Sequence, residues 1–112
     1  MIEQRPWGSY EVLLDDESVK VKRIIVHPQQ QLSYQYHQHR SENWTIISGV
    51  AEVVLDGEVH TLHPSEHIFI AQTAKHRIRN PFTEPVVFIE VQTGSYFGED
   101  DIVRIEDDYG RV

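Results

Sequence analysis

A chain of 112 residues with no cysteine and a formal net charge of −8 is long enough for one domain core and excludes disulfides and thiolate metal sites. The acidic balance argues against a nucleic-acid partner, because phosphate backbones select basic surfaces. No apolar run approaches the roughly 18 residues of a membrane helix. The opening Met1-Ile2-Glu3-Gln4-Arg5 lacks a signal-peptide pattern, so a cytoplasmic protein without a membrane partner is expected.

Short strands and tight turns follow one another with no long helical period. Ser9 to Leu14 reads as the first strand, ending at Asp15-Asp16. Val19 to Val26 alternates, with Lys20, Lys22, Ile24 and Val26 on one face, neither face being purely apolar. His27-Pro28 ends it, since proline cannot donate to a ladder. Leu32 to His37 and Trp44 to Ile47 come next, the latter stopped by Ser48-Gly49. Ala51 to Leu55 and Glu58 to Leu62 flank Asp56-Gly57, a hairpin signal because both turn residues need positive φ. His67 to Ala71, Arg77 to Arg79 and Val86 to Gln92 complete the set. About eight or nine strands with turns every 8–12 residues predict an all-β sandwich or barrel, a single domain over 1–112. Helix is expected only as a turn or two near the ends.

The polar residues of the third strand carry the chemistry. Gln35, His37 and His39 alternate and so share a face if the strand stays extended. Glu42 follows, and a second histidine, His76, lies further on. Imidazole nitrogens with carboxylate and amide oxygens suit a divalent transition metal. Gln35, His37, Glu42 and His76 form the expected set, with His39 able to replace Gln35 or to face substrate. On the last strand Glu90 shares a face with Val86, Phe88 and Gln92. If that face looks inward, its carboxyl is expected to titrate high, either serving as a base or making a structural hydrogen bond. His60, His63 and His67 are expected on the surface, and Trp7 and Trp44 in the core.

The spacing from Gln35 through His37 and Glu42 to Gly49, with His76-Arg77-Ile78-Arg79-Asn80 later, resembles the two cupin motifs. Gln29 replaces the first motif's opening glycine, and Ser65, Ala71 and Thr73 replace the second's glycine, proline and glycine. The resemblance implies a cupin fold, a double-stranded β-helix or jelly-roll barrel. A wider likeness to type II phosphomannose isomerases runs through Arg5-Pro6-Trp7-Gly8, Lys20-Val21-Lys22, Arg40-Ser41-Glu42-Asn43-Trp44 and Gly94 to Arg111, with Asn43 where that family commonly has histidine. That family usually forms the C-terminal half of a protein whose other half is a mannose-1-phosphate guanylyltransferase, for which 112 residues leave no room.

The resemblance implies an aldose–ketose isomerase interconverting mannose 6-phosphate and fructose 6-phosphate. Its metal would be zinc, with manganese, cobalt, nickel or iron as substitutes. Glu90, His39 and Arg104 would be catalytic, while Arg5, Lys22, Arg40, Arg104 and Arg111 would hold the phosphorylated sugar. A homodimer is expected. The rival readings are a cupin module that binds metal and sugar phosphate without turnover, or another metal-dependent cupin enzyme. The segment from Gly94 to Arg111 is expected to fold over the barrel mouth with its acids facing solvent.

Overall fold

The computed structural model describes residues 1–111; Val112, counted in the expected domain, lies outside them. Twelve strands form two antiparallel sheets, with no helix among the described residues. They are β1 (Ile2–Arg5), β2 (Gly8–Asp15), β3 (Val19–Val26), β4 (Gln30–Gln31), β5 (Tyr34–Tyr36) and β6 (Arg40–Ser48), then β7 (Ala51–Leu55), β8 (Glu58–Leu62), β9 (His67–Ile70), β10 (His76–Asn80), β11 (Val86–Gly94) and β12 (Val103–Glu106). One sheet runs β1-β2-β3-β11-β6-β9, and the other β12-β5-β10-β7-β8 with β4 beside β10.

The inward faces of β3, β11 and β6 decide where the site sits. Ladder register sets Val26 opposite Val86, and Phe88 between Ile24 and Ile46. Further along, Glu90 lies between Lys22 and Trp44, and Gln92 between Lys20 and Glu42. Each strand is therefore apolar at one end and polar at the other, and all of these side chains are buried. Ala51, Val53, Leu62 and Ile78 close the apolar end from the opposite sheet. Burying apolar side chains there stabilises each by about 1.5–3 kcal/mol. Burial of the polar end is offset by pairing: Gln92 donates to Glu90, Arg40 to Glu42, and Lys20 and Lys22 to Glu99.

The structure has more strands than the sequence pattern predicts. β1 and β12 carry mostly exposed residues, and backbone ladders to β2 and β5 define them where no apolar alternation does. The expected strand from Leu32 to His37 is split: Leu32 and Ser33 leave the ladder between β4 and β5, and β5 ends at Tyr36. The predicted terminal helical turns are strand and loop instead.

Candidate metal centre and anion pocket

His37, Glu42 and His76 are all buried, and one ligand atom from each lies within 4.8 Å of the others. Three elements bring them together. His37 follows β5, Glu42 takes an inward position on β6, and His76 opens β10 from the facing sheet. Nδ1–H of His76 donates to the Ala74 carbonyl at 2.8 Å, because a carbonyl only accepts. Nε2 is thereby left with its lone pair, buried and unpartnered, 3.7 Å from Glu42 Oε1. A backbone bond that fixes the tautomer and aims the other nitrogen is how proteins orient a metal ligand. Burial pushes the His76 imidazole below its ordinary range. Burial first, and then the Arg40 charge, push His37 down to about 3. Both rings are neutral, as ligation requires. This donor set fits a divalent ion: the residues offer imidazole nitrogen and carboxylate oxygen, and an orphaned nitrogen points among them.

Gln35 is buried beside His76 in the ladder, and its Oε1 accepts from Ser33 Oγ at 2.6 Å. His39 lies elsewhere. Because β5 ends at Tyr36, the alternation that would put Gln35, His37 and His39 on one face fails after His37. His39 is exposed, with its backbone N–H donating to Asp101 and its ring edge-on to Tyr96. The expectation of His39 beside the metal or substrate is corrected accordingly. Asn43 also faces outward, as the residue between inward Glu42 and Trp44, so this departure from the family pattern does not line the site.

The carboxylates form a second layer. Trp44 Nε1–H is shared between Glu42 Oε1 and Glu90 Oε1, each at 3.1 Å. Gln92 Nε2 donates to Glu90 Oε2 at 2.8 Å. Burial, and then the nearby Glu42 charge, push Glu90 up to about 7. Arg40 donates from Nε to Glu42 Oε2 at 2.9 Å and from a terminal nitrogen to His37 Nε2 at 3.0 Å. Burial opposes the Arg40 charge, but Glu42 and Glu90 outweigh it and hold the guanidinium above its ordinary range.

Beside this cluster lies a cavity of about 130 Å³ lined by Arg5, Lys22, Arg40, Arg104 and Arg111, together with Gln35, His37, Glu90 and Glu99. All five residues expected to hold a phosphorylated sugar reach it. Arg111 is clamped by Asp107 through two bonds of 2.8 and 2.7 Å. Arg104 Nε is buried without a partner. Lys22 donates to Glu99 at 2.8 Å. The expectation that the tail's acids face solvent fails for two of them. Asp101 accepts from the backbone N–H groups of Gln38 and His39, and the Asp107 side chain is fully covered, whereas Glu99 stays exposed while also lining the cavity. Sequence reasoning missed Ser33 and Glu99. Ser33 had a signal, its two-residue offset from Gln35, whereas Glu99 reaches Lys22 across a long separation that no local pattern encodes. His60, His63 and His67 take no part in the cluster.

The chain is similar to much longer proteins. It is 48% identical over 108 residues to the mannose-1-phosphate guanylyltransferase ManC of Salmonella typhimurium, covering 96% of this chain and 22% of that protein. It is 49% identical to the xanthan biosynthesis protein XanB of Xanthomonas campestris, covering 23% of it, and 45% identical to the Escherichia coli mannose-1-phosphate guanylyltransferase, also covering 23%. The chain thus spans under a quarter of the length of these relatives. Two of them are named as enzymes of guanylyl transfer, and none of the three is named as an isomerase. The expected mannose 6-phosphate isomerase activity is therefore corrected: these relatives tie the domain to guanylyltransferase chains. Among solved structures, a double-stranded β-helix protein from Klebsiella pneumoniae matches with TM-score 0.74 at 27% identity, over 86% of this chain and 77% of that one. The cupin domain of a transcriptional regulator from Enterobacter cloacae matches with TM-score 0.71 at 27% identity, over 80% and 96%. Both support a cupin barrel. The family model described as mannose-6-phosphate isomerase C-terminal covers residues 2–107, and on that match this chain belongs to that cupin family.

Proposed function

We propose that the chain is a cupin module that binds a divalent metal ion, zinc foremost, and a phosphorylated sugar in one continuous site, without turning the sugar over. The observation that carries this reading is the buried His37–Glu42–His76 group, whose His37 also lines a cavity with five basic side chains. His37, Glu42 and His76 would hold the ion, with Gln35 alongside. A bound ion would act as a Lewis acid toward sugar oxygens, and manganese, cobalt, nickel or iron suit the same donors. Arg104 and Arg111 would take the phosphate, with Arg5, Lys22 and Arg40 around it; guanidinium groups match phosphate oxygens bidentately. The module would then serve the mannose-phosphate chemistry named for its relatives, as a retention site within or beside a guanylyltransferase. Two copies would pair through edge strands such as β1 and β9, a state that sedimentation would register directly.

Isothermal titration tests the reading. Mannose 6-phosphate should bind one equivalent per chain and unphosphorylated mannose far more weakly. Arg104→Ala should weaken the phosphorylated sugar about tenfold to a hundredfold, as expected for one lost charge-assisted contact. Equal affinity for both sugars, or no effect of Arg104→Ala, contradicts it.

A further inference from the structure

We propose that Arg40 is a resident cation of the metal group, which an incoming divalent ion displaces into the anion cavity, so that cation and anion binding reinforce each other. The proposal deepens the binding reading above and rests on it. Arg40 holds two of the cluster's acceptors at once, Glu42 Oε2 at 2.9 Å and His37 Nε2 at 3.0 Å. A guanidinium has no acceptor and does not give up its proton, so it can only donate to that ring nitrogen. The His37 lone pair at Nε2 is therefore spent, and the single proton of the neutral ring sits on Nδ1, which faces Glu42 Oε2 at 3.7 Å. Neither nitrogen of His37 offers a lone pair while Arg40 stays. His76 differs: its Nε2 is free and unpartnered.

A divalent ion and a guanidinium repel strongly in a buried, weakly screened site. The side chain also has a place to go. Arg40 already lines the cavity, and a terminal nitrogen lies 3.5 Å from the Gly98 carbonyl, next to Glu99. Released from Glu42 and His37, its N–H groups would be free to donate within the cavity that Arg5, Lys22, Arg104 and Arg111 also line. By linkage, whatever the ion does for the anion, the anion does equally for the ion.

The test compares wild type with Arg40→Met, using cobalt(II) and inorganic phosphate as probes. Removing the competing donor should tighten cobalt binding, followed by its visible absorption, by about tenfold to a hundredfold. Cobalt should also strengthen phosphate binding in wild type by more than in Arg40→Met. Arg40→Met leaves Glu42 short of a buried partner, so a second measurement uses the wild type alone: on adding zinc, the Arg40 Nε–H resonance should move and lose its protection from solvent exchange. Equal or weaker cobalt affinity in a folded Arg40→Met, or an Arg40 resonance unmoved by bound zinc, overturns displacement and leaves the metal reading standing. An equal gain in phosphate affinity in both proteins overturns the coupling. Failure of both proteins to take up cobalt overturns the metal reading and this proposal with it.

Discussion

Three residues that replace motif glycines keep the glycine conformation. Gln29, Ser65 and Thr73 have φ of 63°, 74° and 70°. The turns are thus set by the fold, and the side chains sit in a region that disfavours them, most of all for β-branched Thr73. The Gln29 amide offsets part of this by donating to the Pro81 and Phe82 carbonyls. No side-chain bond of that kind accompanies Thr73, whose backbone N–H donates to the His37 carbonyl. Thr73→Gly should therefore raise stability by up to about 1 kcal/mol, less than the full strain because glycine gains freedom when unfolded; urea denaturation reads the shift in midpoint. Asp101 is the opposite case. Burial pushes its carboxyl up, but the N–H groups of Gln38 and His39 outweigh burial and leave it below its usual 3.8. A depressed carboxyl contributes stability that is present above about pH 3.8 and lost as pH falls through its folded value. Asp101→Ala should cost about 2–3 kcal/mol at pH 7. It should also flatten the fall in stability below pH 4; an unchanged acid profile contradicts the role. Sequence made the turn positions legible through motif spacing. It hid Asp101, because a carboxylate among other acids looks solvated until its backbone partners are known.

At the scale of elements, alternation was the readable signal. β3, β7 and β8 have the bounds that the pattern predicts, and the inward face of β11 is the one carrying Val86, Phe88, Glu90 and Gln92. What alternation could not give was the meaning of Lys20 and Lys22 on a buried face, which becomes clear only when Glu99 returns to neutralise them. Nor could it show that β5 stops at Tyr36, the break that separates His37 from His39. Between β6 and β7, Gly49 turns the chain with φ of 80°, and an added Cβ would lie 2.3 Å from the Pro85 carbonyl oxygen. That atom is backbone and cannot rotate away. Gly49→Ala should destabilise by at least about 2 kcal/mol, from left-handed strain plus a clash that must be relieved by moving β11. Thermal unfolding checks it. At Gly57, with φ of 85° but open space around the Cβ position, the alanine variant should lose only the strain, about 1 kcal/mol.

For the whole molecule, the decisive feature is a polarity gradient along one barrel. Its apolar end packs Ile24, Val26, Ile46 and Phe88, while its polar end gathers His37, Glu42, His76 and Glu90 beneath a rim of arginines. β12 pairs with β5 and makes the C-terminal segment part of that rim, carrying Arg104 into the cavity wall. The proposed metal group and the cavity therefore share His37, with Arg40 bonded to both of its acceptors and lining the same cavity, and on the proposed reading one ligand would touch both. Phosphorus NMR of mannose 6-phosphate with manganese-loaded protein measures that sharing directly. Wild type should broaden the phosphorus signal strongly, and His76→Ala, which should lose the ion but keep the fold by circular dichroism, should abolish the broadening. Broadening no greater than that from free manganese, or equal broadening by His76→Ala, would contradict that sharing.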